Sequence, residues 1–182
     1  MAKATGLPRT FRILLLCAAA AAPLSSRAGA TPELLAVEFG QAAGIERTTL
    51  ARVGFLWGWG ADLLQGSSWR LRGSWELSLG AWQGDKTLVD AGLTPIFRWE
   101  AKSAGLLGAP YLEAAVGAHL LSGVSMFDRG FSTAFQFGDH VGLGTRFGRF
   151  DLSYKLQHLS NGGIKSPNDG ILFNIVRFGC AF

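Results

Sequence analysis

Two side chains near the C-terminal end of the sequence have the types and the spacing that nucleophilic catalysis needs. His158 and Ser160 are two residues apart, and residues two apart in a β-strand point to the same face of the sheet. A hydroxyl becomes a nucleophile when an adjacent imidazole takes its proton. The pair therefore predicts ester-hydrolysis chemistry, provided that a strand carries both residues.

The residues before this pair alternate as they do in a strand with one apolar face. Counting back from His158 in steps of two gives Leu156, Tyr154 and Leu152. The intervening positions are polar: Asp151, Ser153, Lys155 and Gln157. His158 and Ser160 thus lie on the apolar face, where polar groups are costly unless they are paired or used.

The same two-residue alternation recurs in seven other segments, so the sequence predicts eight strands. In one of them, Trp69, Leu71 and Trp75 lie on the face opposite Arg70 and Arg72. The other six alternating segments contain Val37, Val53, Leu93, Leu112, Phe135 and Val176. No apolar stretch after residue 30 approaches the roughly 20 residues of a membrane helix.

The non-aromatic faces of these strands carry charges of both signs, which can pair inside a narrow barrel and leave the aromatic face for lipid. The charged residues are Glu38, Glu76, Glu100 and Glu113 with Arg52, Arg70, Arg72, Arg98 and Arg177. We therefore predict an eight-stranded antiparallel transmembrane β-barrel over residues 31–182. A secreted soluble β-protein is the alternative.

The first 30 residues have the pattern of a cleavable secretory signal peptide. A basic start is followed by an apolar run over residues 13–24 and by the small residues Ala28, Gly29 and Ala30, so we expect cleavage before Thr31. A lipoprotein signal would use Cys17, but a leucine rather than a small residue precedes it.

The excess of positive charge also lies in this leader. The chain has 17 Lys and Arg against 13 Asp and Glu, and the part before residue 31 contains four basic residues and no acidic one: Lys3, Arg9, Arg12 and Arg27. The rest of the chain is neutral, which argues against a nucleic-acid partner.

The predicted orientation places the pair near a membrane surface. With both barrel termini in the periplasm, the loop from Asn161 to Gly170 is extracellular. His158 and Ser160 then lie at the outer end of their strand, at the depth of the head groups and ester bonds of the outer leaflet. A lipid ester hydrolase needs its nucleophile and base at this depth.

This stretch resembles the lipid A 3-O-deacylase (PagL) family of eight-stranded outer-membrane esterases. The resemblance is carried by His158-x-Ser160-Asn161-x-Gly163 and the following Lys165-x-Pro167-Asn168-x-Gly170. It implies that Ser160 attacks an ester carbonyl, that His158 is the general base, and that Asn161 and Gly163 serve oxyanion and substrate binding.

The resemblance also implies a substrate and a location. The substrate would be lipid A of lipopolysaccharide, cleaved at its 3-position to release a 3-hydroxy fatty acid, and the location would be the cell outer membrane. No metal or organic cofactor is required. A phospholipase is a narrower alternative, because ester chemistry alone does not select the head group, and a homodimer is left open.

The sequence departs from the family at the third catalytic position. The family's usual acid is a Glu fourteen residues after the His, and Leu172 stands there. An acid that orients the base is worth up to about 10⁴ in turnover. Either the activity is low or another carboxylate substitutes. The alternative to an enzyme is a non-enzymatic small outer-membrane barrel with a degenerate site.

A hairpin offers the substitute. If Gly148 and Arg149 form a two-residue turn, of the glycine-first kind that hairpins favour, the register places Asp139 opposite His158. Asp139 also has the wrong polarity for its apolar face. We predict that Asp139 is the orienting acid, with Asp169 as a weaker candidate.

The remaining polar candidates have plainer interpretations. His119 and His140 are predicted to point into the lumen and to join its polar network, and they make a weak case for a metal. Lys86, Arg129 and Lys165 lie in outer loops, where they could meet lipid A phosphates or simply be solvated. Residues 166–170 suit a tight turn.

Overall fold

The computed structural model describes residues 32–44 and 48–182. The predicted signal peptide and its cleavage site lie outside the described residues. Within the described part, the strands in chain order are β1 Leu34–Ala42, β2 Thr49–Gln65, β3 Trp69–Gln83, β4 Thr87–Ala101, β5 Ala109–Leu121, β6 Ser125–Met126, β7 Arg129–Gly130, β8 Phe135–Phe147, β9 Phe150–Ser160 and β10 Ile171–Ala181. This part of the chain has no helix that is long and apolar enough to cross a membrane.

Eight of these strands close into an antiparallel barrel. Its order is β1, β2, β3, β4, β5, β8, β9 and β10, and β10 pairs with β1 to close the ring. The predicted eight-stranded antiparallel barrel is confirmed. The short strands β6 and β7 form a separate hairpin within the connection from β5 to β8, which the alternation pattern did not predict.

The turn between β8 and β9 sets the register that the site depends on. Gly148 adopts a positive φ of 57°, and Phe147 pairs with Phe150 across the turn. Asp139 is therefore the cross-strand partner of His158, as the two-residue turn predicts.

The two faces of the barrel wall differ as the alternation predicts. Phe39 is 60% exposed on the outside, whereas its neighbour Glu38 is 1% exposed in the lumen. Trp59 also lies on the outer face but is covered by Trp75 and Phe97, whose ring centroids are 5.9 and 5.3 Å away. The barrel thus presents an apolar surface outward and encloses its charges, as a membrane barrel does.

Ion pairs fill the lumen. Arg52 lies 2.6 Å from Glu38, and Lys155 lies 2.5 Å from the same carboxylate. Arg177 lies 2.8 Å from Glu113. Such pairing offsets part of the cost of burying the charges.

Both predicted lumen histidines are buried and face acidic partners. His119 Nδ1 lies 2.7 Å from Asp90 Oδ1, and His140 Nε2 lies 3.5 Å from Glu113 Oε1. Membership of the lumen network is confirmed for both.

One end of the lumen is sealed by apolar side chains. We call this the outer end, because the β6–β7 hairpin and the loop from β9 to β10 lie there. Met126 and Phe131 of the hairpin region are buried in one cluster with Trp82, Leu159 and Phe173. The hairpin is therefore anchored in the barrel mouth.

Candidate active site

His158 and Ser160 lie at the C-terminal end of β9, and their side chains are on the outer face of the barrel. Asp139 faces His158 from β8, and its Oδ1 lies 3.3 Å from Nδ1 of the imidazole. The side chain of His158 is 43% exposed and that of Asp139 is 53% exposed. The sequence-based juxtaposition of acid and base is thus present on the outer face of the barrel.

His158 has a second cross-strand partner. In the register between β9 and β10, Leu172 pairs with His158, so the imidazole stands between Asp139 on one side and Leu172 on the other. The position at which the family resemblance implies a glutamate therefore adjoins His158, and an apolar side chain fills it. The carboxylate comes from the opposite neighbouring strand.

The other ring nitrogen of His158 faces the end of the loop that carries Ser160. A Cβ placed on Gly170 would lie 2.8 Å from His158 Nε2 and 3.5 Å from the Cβ of Ser160. Both side chains therefore lie against the same glycine. With the acid at Nδ1 and the hydroxyl-bearing residue on the Nε2 side, the arrangement has the polarity of a Ser-His-Asp triad.

Asn161 is fully buried and braces the loop. Its Nδ2 donates to the carbonyl oxygens of Phe131 and Lys165, at 2.8 and 2.7 Å. Its Oδ1 accepts a hydrogen bond from the Gly163 N–H at 2.8 Å. The predicted oxyanion role of Asn161 and Gly163 stays a prediction, because these donors are engaged within the protein in this conformation.

The backbone N–H that points at the Ser160 hydroxyl belongs to Gly162, which lies between Asn161 and Gly163. The Gly162 N–H donates towards Ser160 Oγ at 3.5 Å, and Gly162 has a positive φ of 67°. The Asn161–Gly163 hydrogen bond closes the turn that aims this N–H outward. A backbone N–H beside a nucleophilic hydroxyl is the usual kind of oxyanion donor.

The other predicted candidates lie elsewhere. Asp169, the weaker candidate for the acid, accepts a hydrogen bond at Oδ2 from the Gly130 N–H at 2.7 Å. Arg129 donates to the Gly170 carbonyl oxygen at 2.9 Å, and Lys86 donates to Ser125 Oγ at 2.8 Å. Arg129 and Lys86, two of the three loop cations, thus donate hydrogen bonds to other groups of the protein.

No metal centre accompanies the site. Across residues 32–44 and 48–182, no three His, Cys, Asp or Glu side chains come together as ligands would. The groups that meet at the site are a hydroxyl, an imidazole, a carboxylate and a backbone N–H.

Fold and site together define a class of protein: a small membrane β-barrel with a serine, a histidine and an aspartate on its apolar outer face. The family model described as Lipid A 3-O-deacylase (PagL) matches residues 49–181. The chain belongs to this family.

Individual relatives agree with this assignment. The chain is 33% identical over 124 residues to the lipid A deacylase PagL of Pseudomonas aeruginosa, a match that covers 66% of this chain and 70% of that protein. It is 38% identical over 115 residues to the lipid A deacylase PagL of Bordetella bronchiseptica, covering 58% of this chain and 61% of that protein.

A solved structure has the same fold. The crystal structure of the outer membrane enzyme PagL matches with a TM-score of 0.75 and 27% identity, over 82% of this chain and 99% of that chain. The barrel observed here is therefore the fold of an outer-membrane enzyme.

Proposed function

We propose that this chain is an outer-membrane serine esterase that removes the ester-linked acyl chain from the 3-position of lipid A. The observation that carries the proposal is the placement of His158 between Asp139 at Nδ1 and the Ser160 side at Nε2, on the outer face of the barrel. Membership of the lipid A 3-O-deacylase family supports the choice of substrate.

The first half of the reaction forms an acyl-enzyme. Ser160 Oγ attacks the ester carbonyl carbon while His158 Nε2 takes the hydroxyl proton. The negative charge on the carbonyl oxygen is stabilised by the Gly162 N–H, which Asn161 and Gly163 hold in place. The tetrahedral intermediate collapses, His158 returns the proton to the sugar oxygen, and the 3-hydroxyl of lipid A leaves.

The second half releases the fatty acid. Water attacks the acyl-serine and gives a proton to His158, and the intermediate then expels Ser160 Oγ, which takes the proton back. The products are a free 3-hydroxy fatty acid and lipid A with one acyl chain fewer. The Asp139 carboxylate keeps the imidazole in the tautomer with hydrogen on Nδ1 and stabilises its charged form.

The position of the site suits a substrate embedded in the membrane. His158 and Ser160 lie at the outer end of β9, and the surface below them on the same strand is apolar, with Leu156 and Tyr154 39% and 43% exposed. In the proposed orientation, the 3-position ester reaches Ser160 while its acyl chain stays against this surface. The ester need not leave the bilayer.

One observation favours a second candidate function. Leu172 occupies the position of the family's acid, and a barrel without an orienting acid would bind lipid A but turn it over poorly. In this second candidate, the Asp139–His158 contact is a polar pair at the membrane interface and has no catalytic role.

Hydrolysis by the purified protein separates the two candidates. We expect the folded barrel in detergent micelles to release 3-hydroxy fatty acid from lipid A, and Ser160→Ala and His158→Ala each to abolish the release. Phospholipid in the same micelles should stay intact, and its hydrolysis would instead assign a phospholipase. Equal release by the unsubstituted chain and Ser160→Ala would end the esterase proposal.

A further inference from the structure

The β6–β7 hairpin holds the loop that follows Ser160. Arg129 Nη1 donates to the Gly170 carbonyl oxygen at 2.9 Å and approaches that of Asp169 at 3.4 Å. The Gly130 N–H donates to Asp169 Oδ2 at 2.7 Å, and the Asp169 N–H donates to the Gly130 carbonyl oxygen at 3.1 Å. Hydrogen bonds from both the backbone and the side chains thus join the end of the loop, Asp169 and Gly170, to the hairpin.

The hydrogen bonds from the hairpin reach Gly170, which lies against the side chains of both His158 and Ser160. Gly170 is buried, has a positive φ of 62°, and leaves no room for a Cβ between itself and His158 Nε2. A shift of its backbone would therefore change the space beside Nε2 and Ser160 directly. Misplacement of reacting groups by about 1 Å can cost about 10²-fold in rate.

The hairpin itself is a firm base for this contact. Met126 and Phe131 are buried in the barrel mouth, and the Phe127 N–H donates to Asp85 Oδ1 at 2.9 Å. The backbone of Arg129 thus lies in a packed element, and its guanidinium reaches the carbonyl oxygens of Asp169 and Gly170, which directly precede β10.

We propose that Arg129 is a positioning residue of the esterase: its guanidinium fixes the Gly170 backbone, which in turn keeps His158 Nε2 and Ser160 in reacting geometry. The inference rests on the proposed function. It differs from a phosphate-binding role for Arg129, in which the guanidinium would act on the lipid A head group and leave the reacting groups unaffected.

Two substrates and one labelling reagent distinguish the roles. The variants are Arg129→Ala, Arg129→Lys and, as a matched control in the turn at the other end of the barrel, Arg149→Ala. Each folded barrel is assayed with lipid A and with a phosphate-free p-nitrophenyl ester, giving kcat and KM separately. The rate at which a fluorophosphonate modifies Ser160 reports the reactivity of the hydroxyl without substrate binding.

Positioning predicts the same loss in every assay. Arg129→Ala should lower kcat for both esters and the labelling rate by about 10- to 100-fold, the effect of losing a charge-assisted hydrogen bond, with KM changed by less than about twofold. Arg129→Lys should recover part of this loss, because an ammonium can reach one carbonyl oxygen. Arg149→Ala should match the unsubstituted chain.

Other outcomes overturn the inference separately from the proposed function. A raised KM confined to lipid A, with unchanged labelling of Ser160, would assign Arg129 to phosphate binding. If Arg129→Ala does not fold, an unchanged kcat and labelling rate in Arg129→Lys would reject positioning. An unsubstituted chain that neither hydrolyses these esters nor accepts the label would refute the esterase itself.

Discussion

Asp139 and His158 are direct cross-strand partners on the outside of the barrel, with Oδ1 and Nδ1 3.3 Å apart. Leu172 faces the same histidine from the other neighbouring strand. The register therefore places a side chain from β8 and one from β10 beside the same histidine, and an acid at either position would adjoin His158. Such a pair is worth little in water but more where lipid excludes water.

Replacing the carboxylate tests this relationship. In Asp139→Asn, the amide cannot stabilise the charged imidazole, and we expect kcat to fall by about 10²- to 10⁴-fold. The measurement is fatty-acid release from lipid A by folded protein. Asp62→Asn, a carboxylate on β2 paired with Arg72, is the control and should keep full activity. Full activity in Asp139→Asn would reject Asp139 as the orienting acid.

An acid introduced on β10 should compensate for the loss of the Asp139 carboxylate. Leu172 is 39% exposed, so a glutamate fits there without displacing packed side chains. We expect Leu172→Glu alone to raise kcat or leave it unchanged. In the Asp139→Asn background it should recover about tenfold or more of the lost rate. A double variant no faster than Asp139→Asn would contradict this account of the register.

Gly170→Ala tests the space beside the imidazole. The new Cβ would lie 2.8 Å from His158 Nε2, so we expect kcat to fall by at least about 10²-fold. Gly148→Ala is a matched control, since Gly148 also has a positive φ but meets no atom within 4 Å. Comparing the two in the ester assay separates backbone strain from the clash at the site. Similar kcat values would argue against contact between Gly170 and the reacting groups.

The lumen network makes a prediction about stability. The side chains of Arg177 and Glu113 are both 0% exposed and 2.8 Å apart. Arg177→Met removes one buried positive charge and leaves Arg98, 3.0 Å from Glu113, as the remaining arginine beside this carboxylate. We expect the free energy of unfolding to fall by about 3–5 kcal/mol, measured by urea titration of the barrel in lipid vesicles. Arg70→Met should cost less than Arg177→Met, because the Arg70 side chain is 31% exposed and its partner Glu100 keeps Arg146 at 3.0 Å.

The strands and their faces were predictable because they follow from local periodicity. A two-residue repeat marks which side chains point into lipid, and the residues Gly148 and Arg149 mark a hairpin turn whose register determines that Asp139 meets His158. These signals lie within short stretches of chain. Burial of the charged residues follows from the same repeat.

The support of the site was not predictable in the same way. Arg129 and Gly170 are far apart in sequence and lie in connections between barrel strands that have no periodic pattern, so nothing in the sequence pairs them. The hydrogen bonds that the Asn161 amide donates to the Phe131 and Lys165 carbonyl oxygens were likewise not predictable, because both partners lie in loops. The predicted role of Asn161 at the oxyanion stays a prediction.

The most direct test of the central claim is mass spectrometry of lipid A from cells that express either the unsubstituted chain or Ser160→Ala. If Ser160 and His158 act on lipid A at the outer rim of the barrel, the unsubstituted chain should remove the mass of one 3-hydroxyacyl group, lost from the 3-position, and Ser160→Ala should leave lipid A intact. Identical spectra from folded, membrane-inserted proteins would contradict the account.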